Sequence, residues 1–290
     1  MLPRSPRLVA LLGDPVAHSR SPALHNAAFR ALGLDLVYVA CRVAPADLPE
    51  AVAGLRALGA VGANVTVPHK EAVVRLIDRL TPVAEAVSAV NTLVLEDGGT
   101  LRGENTDVAG FLAPLTPHLE ALRSSEVVVL GAGGAARAVV YAALTALDPA
   151  RVTIAARRPA QAERLAADLA SFDPRRALRV RPLAEAGGAM RAAHLVVNAT
   201  PVGLLDDGSP SPESDAFHRG QVVYDLVYGA VPTRLLRDAA ARGATTLDGR
   251  DMLRAQAAAS FLLWTGHEMP PANGEETRAW EPLPSAPASS

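Results

Sequence analysis

The sequence has almost no cysteine and no excess of positive charge, and each absence excludes classes of protein. Its one cysteine, Cys41, cannot form a disulfide within the chain, which favours a reducing compartment, so we expect a cytoplasmic protein. The 28 basic residues are balanced by 30 acidic ones, so the charge indicates no nucleic-acid partner. No apolar run approaches the roughly 18 residues that a membrane span requires. The composition therefore favours a globular protein that acts on small molecules.

Lysine is nearly absent as well. Lys70 is the only lysine, and every other basic residue in the count is arginine. The two residue types serve equally well on solvated surfaces, but a guanidinium stays protonated at working pH and cannot give and take a proton. Lys70 is therefore a candidate proton donor. The alternative is that it survives by chance in an arginine-rich sequence.

The first hundred residues alternate strand and helix patterns. The predicted strands are 8–12, 36–43, 61–67, 91–96 and 100–103, the last two forming a hairpin, and the predicted helices are 22–32, 45–58 and 71–80. Such alternation predicts a mostly parallel sheet with helices on both faces. The length, 290 residues, accommodates a second domain.

A second α/β unit follows a helix that starts near Asp107. Its predicted strands are 126–130, 152–155, 195–198 and 222–226, and its predicted helices are 135–147, 233–242 and 252–264. The remaining residues, 270–290, are polar and proline-rich, which predicts a disordered tail.

A glycine turn, Gly131-Ala132-Gly133-Gly134-Ala135-Ala136, stands between a predicted strand and a predicted helix. It fits the G-x-G-x-x-G/A pattern, in which the first glycine permits a tight turn and the second lets the backbone approach a pyrophosphate at the helix start. Alone, the pattern is also compatible with a turn that binds nothing. About 25 residues on, the next strand ends in Arg157-Arg158 without an acidic residue, which favours the 2′-phosphate of NADP, although both arginines could simply be solvated.

Polar side chains recur at predicted strand ends. Asparagines stand in the segments 64–70, 90–92, 105–107 and 198–201, where they can bind a polyhydroxylated substrate or cap turns. Ser19 and Ser21 open the first predicted helix and suit a carboxylate, while Ser21 before Pro22 also fits an ordinary N-cap. Histidines and cysteine show no metal-ligand spacing, so we expect no metal.

Eight segments, in order from about Leu8 to Gly266, resemble the shikimate dehydrogenase family, which includes shikimate and quinate dehydrogenases. They are GDPVAHSRSP (13–22), GANVTVPHK (62–70), AVNT (89–92), GENTD (103–107), GAGGAA (131–136), NATPVG (198–203), YDLVY (224–228) and, in the last helix, Met252-Leu253 with Gln256-Ala257-Ala258. The resemblance implies an α/β protein with two domains. These are an N-terminal substrate-binding and catalytic domain (1–107), joined by the C-terminal helix 250–268, and a Rossmann-type NADP-binding domain (108–249).

The resemblance also implies the roles of individual residues. Lys70 and Asp107 would be the catalytic pair, with Asp107 orienting Lys70. The substrate-binding residues implied are Ser19, Ser21 and Tyr228 at the carboxylate, and Thr66, Asn91 and Gln256 at the ring. The cofactor-binding residues expected are Gly131, Ala132, Gly133, Gly134, Ala135, Arg157, Arg158, Asn198, Thr200, Leu226 and Gly249.

The activity implied is the reversible, NADP-dependent reduction of 3-dehydroshikimate to shikimate in aromatic amino-acid biosynthesis. The alternatives are a dehydrogenase of quinate or an amino analogue that uses NAD, and a catalytically silent dinucleotide-binding sensor. A monomer or a homodimer is expected. The sequence departs from the family at Ala156-Arg157-Arg158 with Gln161, where an asparagine-arginine-threonine run and a later arginine are common, and at Glu104, where aspartate is usual and where we expect a local cap.

Overall fold

The computed structural model describes residues 5–271, which contain two six-stranded sheets with helices packed against them. The strands of the first sheet are β1 (Arg7–Gly13), β2 (Leu36–Arg42), β3 (Gly62–Val65), β4 (Arg79–Leu80), β5 (Thr92–Leu95) and β6 (Leu101–Glu104). Their order is β2-β1-β3-β5-β6-β4. The predicted hairpin is confirmed as the antiparallel pair β5–β6, and β3 also pairs antiparallel with β5, so this sheet is more mixed than the alternation predicts.

Three helices belong to this first sheet: α1 (Ser21–Ala31), α2 (Leu48–Ala57) and α3 (Pro82–Val87). The helix predicted at 45–58 begins as a 3-10 turn and becomes α-helical at Leu48. The helix predicted at 71–80 is wrong, because only a 3-10 segment, Ala72–Leu76, forms before β4. There the backbone N–H groups of Asp78 and Thr81 bond to β6 carbonyls, so pairing with a strand overrides the local helical spacing.

The second sheet is entirely parallel and has the Rossmann strand order β9-β8-β7-β10-β11-β12. Its strands are β7 (Glu126–Leu130), β8 (Arg151–Ala156), β9 (Leu178–Pro182), β10 (Leu195–Asn198), β11 (Val222–Asp225) and β12 (Thr245–Leu247). The four strands predicted here are confirmed within two residues. The two edge strands escape prediction because β9 alternates arginine with apolar residues over a short span and β12 is three residues long.

Seven helices follow β6 in chain order. They are α4 (Asp107–Leu112), α5 (Leu119–Leu122), α6 (Gly134–Ala142), α7 (Pro159–Asp168), α8 (Gly187–Ala192), α9 (Arg234–Ala241) and α10 (Gly249–Thr265). The helix predicted at 135–147 is α-helical only to Ala142 and continues as a π turn over Ala143–Leu147. The last helix ends at Thr265 rather than 268, because Gly266 takes a left-handed cap with φ of 71°.

Helix α10 returns to the first sheet. Phe261 and Trp264 pack in one core cluster with Val9 and Leu11 of β1, and Trp264 Nε1 donates a hydrogen bond to the Leu93 carbonyl at 2.9 Å. The predicted boundaries at 107 and 249 coincide with the first residues of α4 and α10, and the division into two domains stays a prediction.

Two sequence predictions concern the chain ends and the membrane. Most of the segment predicted as a disordered tail, residues 272–290, lies outside the described residues. Within residues 5–271, no helix has the length and apolar character needed to span a bilayer.

Candidate active site

A cleft of about 540 Å³ lies where strands of both sheets reach their carboxyl ends. Segments after β1 and β3 form one wall, segments after β10 and β11 form the other, and α10 contributes to the floor. Of the predicted site residues, those in the cleft lining are Ser19, Ser21, Thr66, Lys70, Asn91, Asp107, Ala135, Thr200, Leu226, Tyr228, Gly249 and Gln256. Ligands of open α/β sheets bind at such an edge, outside the carboxyl ends of the strands.

Lys70 and Asp107 form an ion pair in this cleft. Lys70 lies in the segment after β3, Asp107 is the first residue of α4, and Lys70 Nζ donates to Asp107 Oδ2 at 2.6 Å. The two side chains are 14% and 5% exposed, so the pair is shielded from bulk solvent on most sides. Because an ammonium carries three N–H groups and this bond uses one, the others can reach a ligand oxygen.

Asn91 holds the second oxygen of Asp107. Its Nδ2 donates to Asp107 Oδ1 at 3.0 Å and to Gln256 Oε1 at 3.3 Å, while its Oδ1 accepts from the Thr106 backbone N–H at 2.8 Å. Both oxygens of the carboxylate are therefore committed, one to Lys70 and one to Asn91. This fixes the direction in which Asp107 presents the ammonium.

A buried polar layer under this wall extends beyond the predicted site residues. Asn64 lines the cleft, accepts from the Tyr38 hydroxyl at 2.8 Å, and donates from Nδ2 to Thr92 Oγ1 and Ser260 Oγ. The Ser260 hydroxyl also lies 2.8 Å from Thr92 Oγ1. The sequence signal for Asn64 is its position two residues before Thr66, since alternate residues of a strand share a face. The signal for Ser260 is its position four residues after Gln256, on the same face of the predicted helix, whereas its contact with Asn64 follows only from the fold of α10.

Ser19, Ser21 and Tyr228 all line the cleft, and the Ser19 hydroxyl contacts the Tyr228 phenol. The N-cap interpretation of Ser21 is wrong: Ser21 is already in α1, Arg20 occupies the cap position without a side-chain cap bond, and the Ser21 backbone N–H donates to the Ser19 hydroxyl at 3.3 Å. Burial raises the pKa of the Tyr228 phenol, and contacts with the Arg20 backbone and the Ser19 hydroxyl act in the opposite direction. His18 also lines the cleft, and burial lowers its pKa below the ordinary imidazole value. Hydroxyl donors near a helix start suit a carboxylate ligand.

The glycine turn fits a dinucleotide. Gly131 has a φ of 114°, and a Cβ there would lie 3.0 Å from the Ala199 carbonyl oxygen, so the tight turn requires glycine. Gly133 precedes α6 in extended conformation, and an added Cβ would meet nothing within 4 Å, which leaves the helix start open to a phosphate. The turn extends from Gly131 to Ala136 and includes Ala132 and Gly134. It lies between β7 and β10, where the strand order reverses. This position is the dinucleotide-binding crevice of a Rossmann sheet.

Asn198 lies under the wall formed by the segments after β10 and β11, next to the glycine turn (the cofactor wall), and not in the cleft lining. It is fully buried, its Nδ2 donates to Asp225 Oδ1 at 2.8 Å, and its Oδ1 accepts from the Thr200 hydroxyl at 2.7 Å. Burial raises the pKa of the Asp225 carboxyl to about 6, against three hydrogen bonds that lower it. Asn198 therefore shapes the segment that carries Thr200. Gly249 packs against the next segment, since a Cβ there would meet the Leu226 carbonyl oxygen at 2.2 Å.

Arg157 and Arg158 follow β8 and are exposed. Neither forms an ion pair with any residue in 5–271. No acidic residue stands at this strand end to receive a ribose hydroxyl, and two cations are available to a 2′-phosphate. The departure at Glu104 has the expected local consequence, because Glu104 Oε1 accepts from the Asn105 backbone N–H at 2.8 Å.

An ammonium–carboxylate pair facing the dinucleotide edge of a Rossmann sheet defines a nicotinamide-dependent oxidoreductase of the α/β class. Within the described part of the chain, no cluster of three histidine, cysteine or acidic side chains could hold a metal ion.

Comparison with known proteins agrees with this class. Residues 11–93 match the model of the shikimate dehydrogenase substrate binding domain. The chain is 56% identical, over 92% of its length and 94% of the relative's, to a shikimate dehydrogenase (NADP(+)) of Salinibacter ruber. A shikimate 5-dehydrogenase of Thermus thermophilus, solved in complex with NADP(H) and shikimate, has 39% identity and a TM-score of 0.80, with 94% and 98% of the two chains covered. A quinate dehydrogenase of Corynebacterium glutamicum, solved with NAD, has 33% identity and a TM-score of 0.82, with 96% and 98% covered. The chain belongs to the shikimate dehydrogenase family.

Proposed function

We propose that this protein catalyses the reversible, NADP-dependent reduction of 3-dehydroshikimate to shikimate, a step of aromatic amino-acid biosynthesis. The observation that carries the proposal is the shielded Lys70–Asp107 pair, 2.6 Å apart, at the cleft that the glycine turn adjoins. A catalytically silent sensor would have no need of such a pair, so the geometry favours an enzyme.

The substrate side of the cleft provides a group for each feature of a hydroxylated cyclic acid. The Ser19, Ser21 and Tyr228 hydroxyls bind the carboxylate. Thr66, Asn91 and Gln256 bind the ring hydroxyls, since hydroxyls and amides both donate and accept hydrogen bonds. Together these contacts hold the ring with its ketone at Lys70.

Lys70 acts as the general acid. Its ammonium donates a hydrogen bond to the ketone oxygen, stabilises the negative charge that develops there, and transfers a proton to it. Asp107 holds the ammonium in place and is itself held by Asn91. In the direction of oxidation, the neutral amine accepts the proton from the hydroxyl, and solvent exchange restores the starting state of Lys70.

NADPH, when bound, supplies the hydride. The residues that would hold it are those of the glycine turn, Gly131, Ala132, Gly133, Gly134 and Ala135, with the Arg157 and Arg158 side chains at the 2′-phosphate. Thr200, Leu226 and Gly249 line the cleft next to the substrate wall and would contact the nicotinamide end, supported from below by Asn198.

In this proposal, one sheet belongs to the substrate-binding domain and the other to the cofactor-binding domain. The proposed substrate domain is 1–107 with the returning helix near 250–268, and the proposed cofactor domain is 108–249; the returning helix and the sheet boundaries support this division. The cytoplasmic location and the choice between monomer and homodimer stay predictions from the sequence.

A spectrophotometric assay at 340 nm tests the proposal. NADPH and NADH are each offered with 3-dehydroshikimate, and NADP+ and NAD+ with shikimate and with quinate. We expect the highest kcat/KM with NADPH and 3-dehydroshikimate. A kcat/KM for quinate with NAD+ that exceeds the kcat/KM for shikimate with NADP+ would assign the protein to the quinate branch of its family. No turnover with any pair would contradict the proposal.

A further inference from the structure

One buried arginine outside the cleft joins the two sheets. Arg137 lies in α6, three residues after Gly134, and is 4% exposed. Its Nε donates to the Val87 carbonyl at 2.7 Å, and its Nη2 pairs with Asp168 Oδ2 at 2.6 Å. Its Nη1 lies 4.0 Å from Glu71 Oε2. A guanidinium buried this deeply needs partners, and these satisfy it.

The partners of Arg137 come from three different segments. Val87 is the last residue of α3 beside the first sheet, and Glu71 follows Lys70 directly. Asp168 is the last residue of α7, the helix whose N-cap is Arg158. One side chain therefore connects the helix that starts at the glycine turn to the segment of Lys70 and to the helix that starts at the predicted phosphate-binding arginines.

The bond to Val87 has a clear physical basis. The last carbonyls of a helix have no partner within the helix, and α3 ends when Ser88 takes a left-handed conformation with φ of 52°. The Arg137 guanidinium caps one of these carbonyls from across the interface, while its other arm pairs with Asp168. Only a planar fork with several N–H groups can serve both partners at once; a lysine ammonium, which is a compact point charge, cannot.

The contacts around Arg137 are close on both sides of the interface between α3 and α6. Val87, Ala89 and Ala138 are fully buried together between α3 and α6. A Cβ on Gly134 would lie 2.8 Å from Lys70 Cβ, so the glycine turn touches the stem of the proton donor directly. A movement of α6 relative to α3 would therefore change the distance between the cofactor turn and Lys70.

We infer that Arg137 is a positioning residue that sets the separation between the glycine turn and Lys70, and with it the alignment of hydride donor and proton donor. The inference rests on the proposed function, because it presumes that both groups act on one ketone. It gives a kinetic role to Arg137, which is not itself a lining residue of the cleft. Misplacement of reacting groups by about 1 Å can cost about 10²-fold in rate.

The test compares two variants that break different bonds of Arg137. Arg137→Lys keeps a cation for Asp168 but loses the bond to Val87, whereas Asp168→Asn keeps that bond and loses the ion pair. We expect R137K to lower kcat by about 10- to 100-fold with unchanged dissociation constants for NADPH and shikimate. Its deuterium isotope effect with NADPH deuterated at nicotinamide C4 should rise, because hydride transfer becomes rate-limiting. D168N should lower Tm and leave kcat and the isotope effect unchanged.

A second readout does not depend on turnover. Hydrogen exchange in the wild type and in R137K reports the packing of α6 against α3 without ligands. We expect faster exchange in R137K for residues 66–76 and 82–91, with no change in the central strands β7 and β10 of the second sheet. D168N should not alter exchange at 82–91.

The outcomes separate the two proposals. A wild type with no activity but with the expected exchange pattern contradicts the proposed function and keeps the interface role of Arg137. An active wild type whose R137K variant has normal kcat, isotope effect and exchange shows that Arg137 only balances a buried charge, and this overturns the inference alone.

Discussion

The two walls of the cleft are built in different ways. On the substrate wall, polar side chains are fixed by other side chains before a ligand arrives: Asp107 is held by Lys70 and Asn91, and Asn64 by Tyr38 and its neighbours. On the cofactor wall, an open glycine turn presents backbone N–H groups at a helix start, and two arginines stand exposed beyond it.

The difference reflects what each ligand demands. A small hydroxylated ring must be placed to within a fraction of an ångström for a proton and a hydride to reach one carbonyl, so its contacts must be pre-oriented. A dinucleotide spreads its charge over several phosphates, and backbone groups with a helix dipole can bind these without fixed side chains. Side-chain substitutions on the substrate wall should therefore lower the rate of the chemical step. Side-chain substitutions on the cofactor wall should weaken binding of the cofactor.

The largest effect is expected at Lys70. Lys70→Met should lower kcat by about 10²-fold or more, because the ketone oxygen loses its proton donor, while both ligands still bind. Steady-state assays measure kcat, and calorimetry measures the dissociation constants of shikimate and NADPH separately from turnover. Near-normal turnover would remove Lys70 from the mechanism.

Lys70→Arg is the matched control for charge. The guanidinium keeps the positive charge beside Asp107 but stays protonated at any working pH. We expect K70R to be nearly as slow as K70M. Recovery of turnover in K70R would show that electrostatic stabilisation, and not proton transfer, is the contribution of Lys70.

The cofactor wall predicts a smaller effect that falls on binding. Replacing Arg157 or Arg158 singly by Gln should raise the KM for NADPH by about 10- to 100-fold, since a charge-assisted bond to phosphate is worth about 1.5–3 kcal/mol, and should leave the KM for NADH unchanged. Steady-state kinetics with each coenzyme measure this. Arg164→Gln, at an exposed arginine within α7, is the control and should change neither constant. An equal rise for both coenzymes would remove the 2′-phosphate role.

A feature of the two walls could be predicted from the sequence when the residues that form it are neighbours in the chain, and could not when they are far apart in the chain. The glycine turn and its flanking strand and helix are local, so their geometry follows from residues that are neighbours in the chain. The four inner Rossmann strands are also local apolar runs, and their predicted bounds agree with the structure within two residues. The pairing of Lys70 with Asp107 is implied by family motifs alone, because no spacing rule brings residues 37 positions apart into contact.

The supports of the substrate wall could not be predicted for the same reason. Ser260 reaches Asn64 across 196 residues, through the return of α10 to the first sheet. In the sequence, Arg137 is one more helix residue after a glycine turn, and its partners Val87 and Asp168 come from segments that only tertiary packing brings together. Likewise, the strand at Arg79–Leu80 exists because β6 pairs with it, against a locally helical pattern.

Ser260 allows a test of whether the buried polar layer serves the substrate wall. Ser260→Ala removes the hydroxyl that lies between Asn64 and Thr92, and the loss of this hydrogen bonding should cost about 0.5–1.5 kcal/mol of unfolding free energy. We expect the KM for shikimate to rise and the KM for NADPH to stay constant. Ser125→Ala, at a buried serine whose hydroxyl donates to the Leu122 carbonyl, is the control and should leave both KM values unchanged. Equal effects of the two variants on both KM values would show that the layer has no specific link to the substrate.

His25 is the exception to the well-bonded substrate wall, and its expected effect falls on stability and not on turnover. Its ring is stacked on Tyr38 at 4.5 Å, and neither ring nitrogen has a hydrogen-bond partner among residues 5–271. Burial lowers the pKa of this imidazole to about 3, from 6.5. Above pH 6.5 both the folded and the unfolded ring are neutral, and below it only the unfolded chain takes up the proton, so stability falls as the pH drops toward 3. This loss should amount to about 2 kcal/mol of unfolding free energy between pH 7 and pH 5.

Urea unfolding of the wild type and of His25→Phe measures the difference. Phenylalanine fills the aromatic cluster with an uncharged ring, so the variant should lack that part of the pH dependence. Identical pH profiles would mean that the charged His25 ring finds a hydrogen-bond acceptor, and the substrate wall would then have no exception.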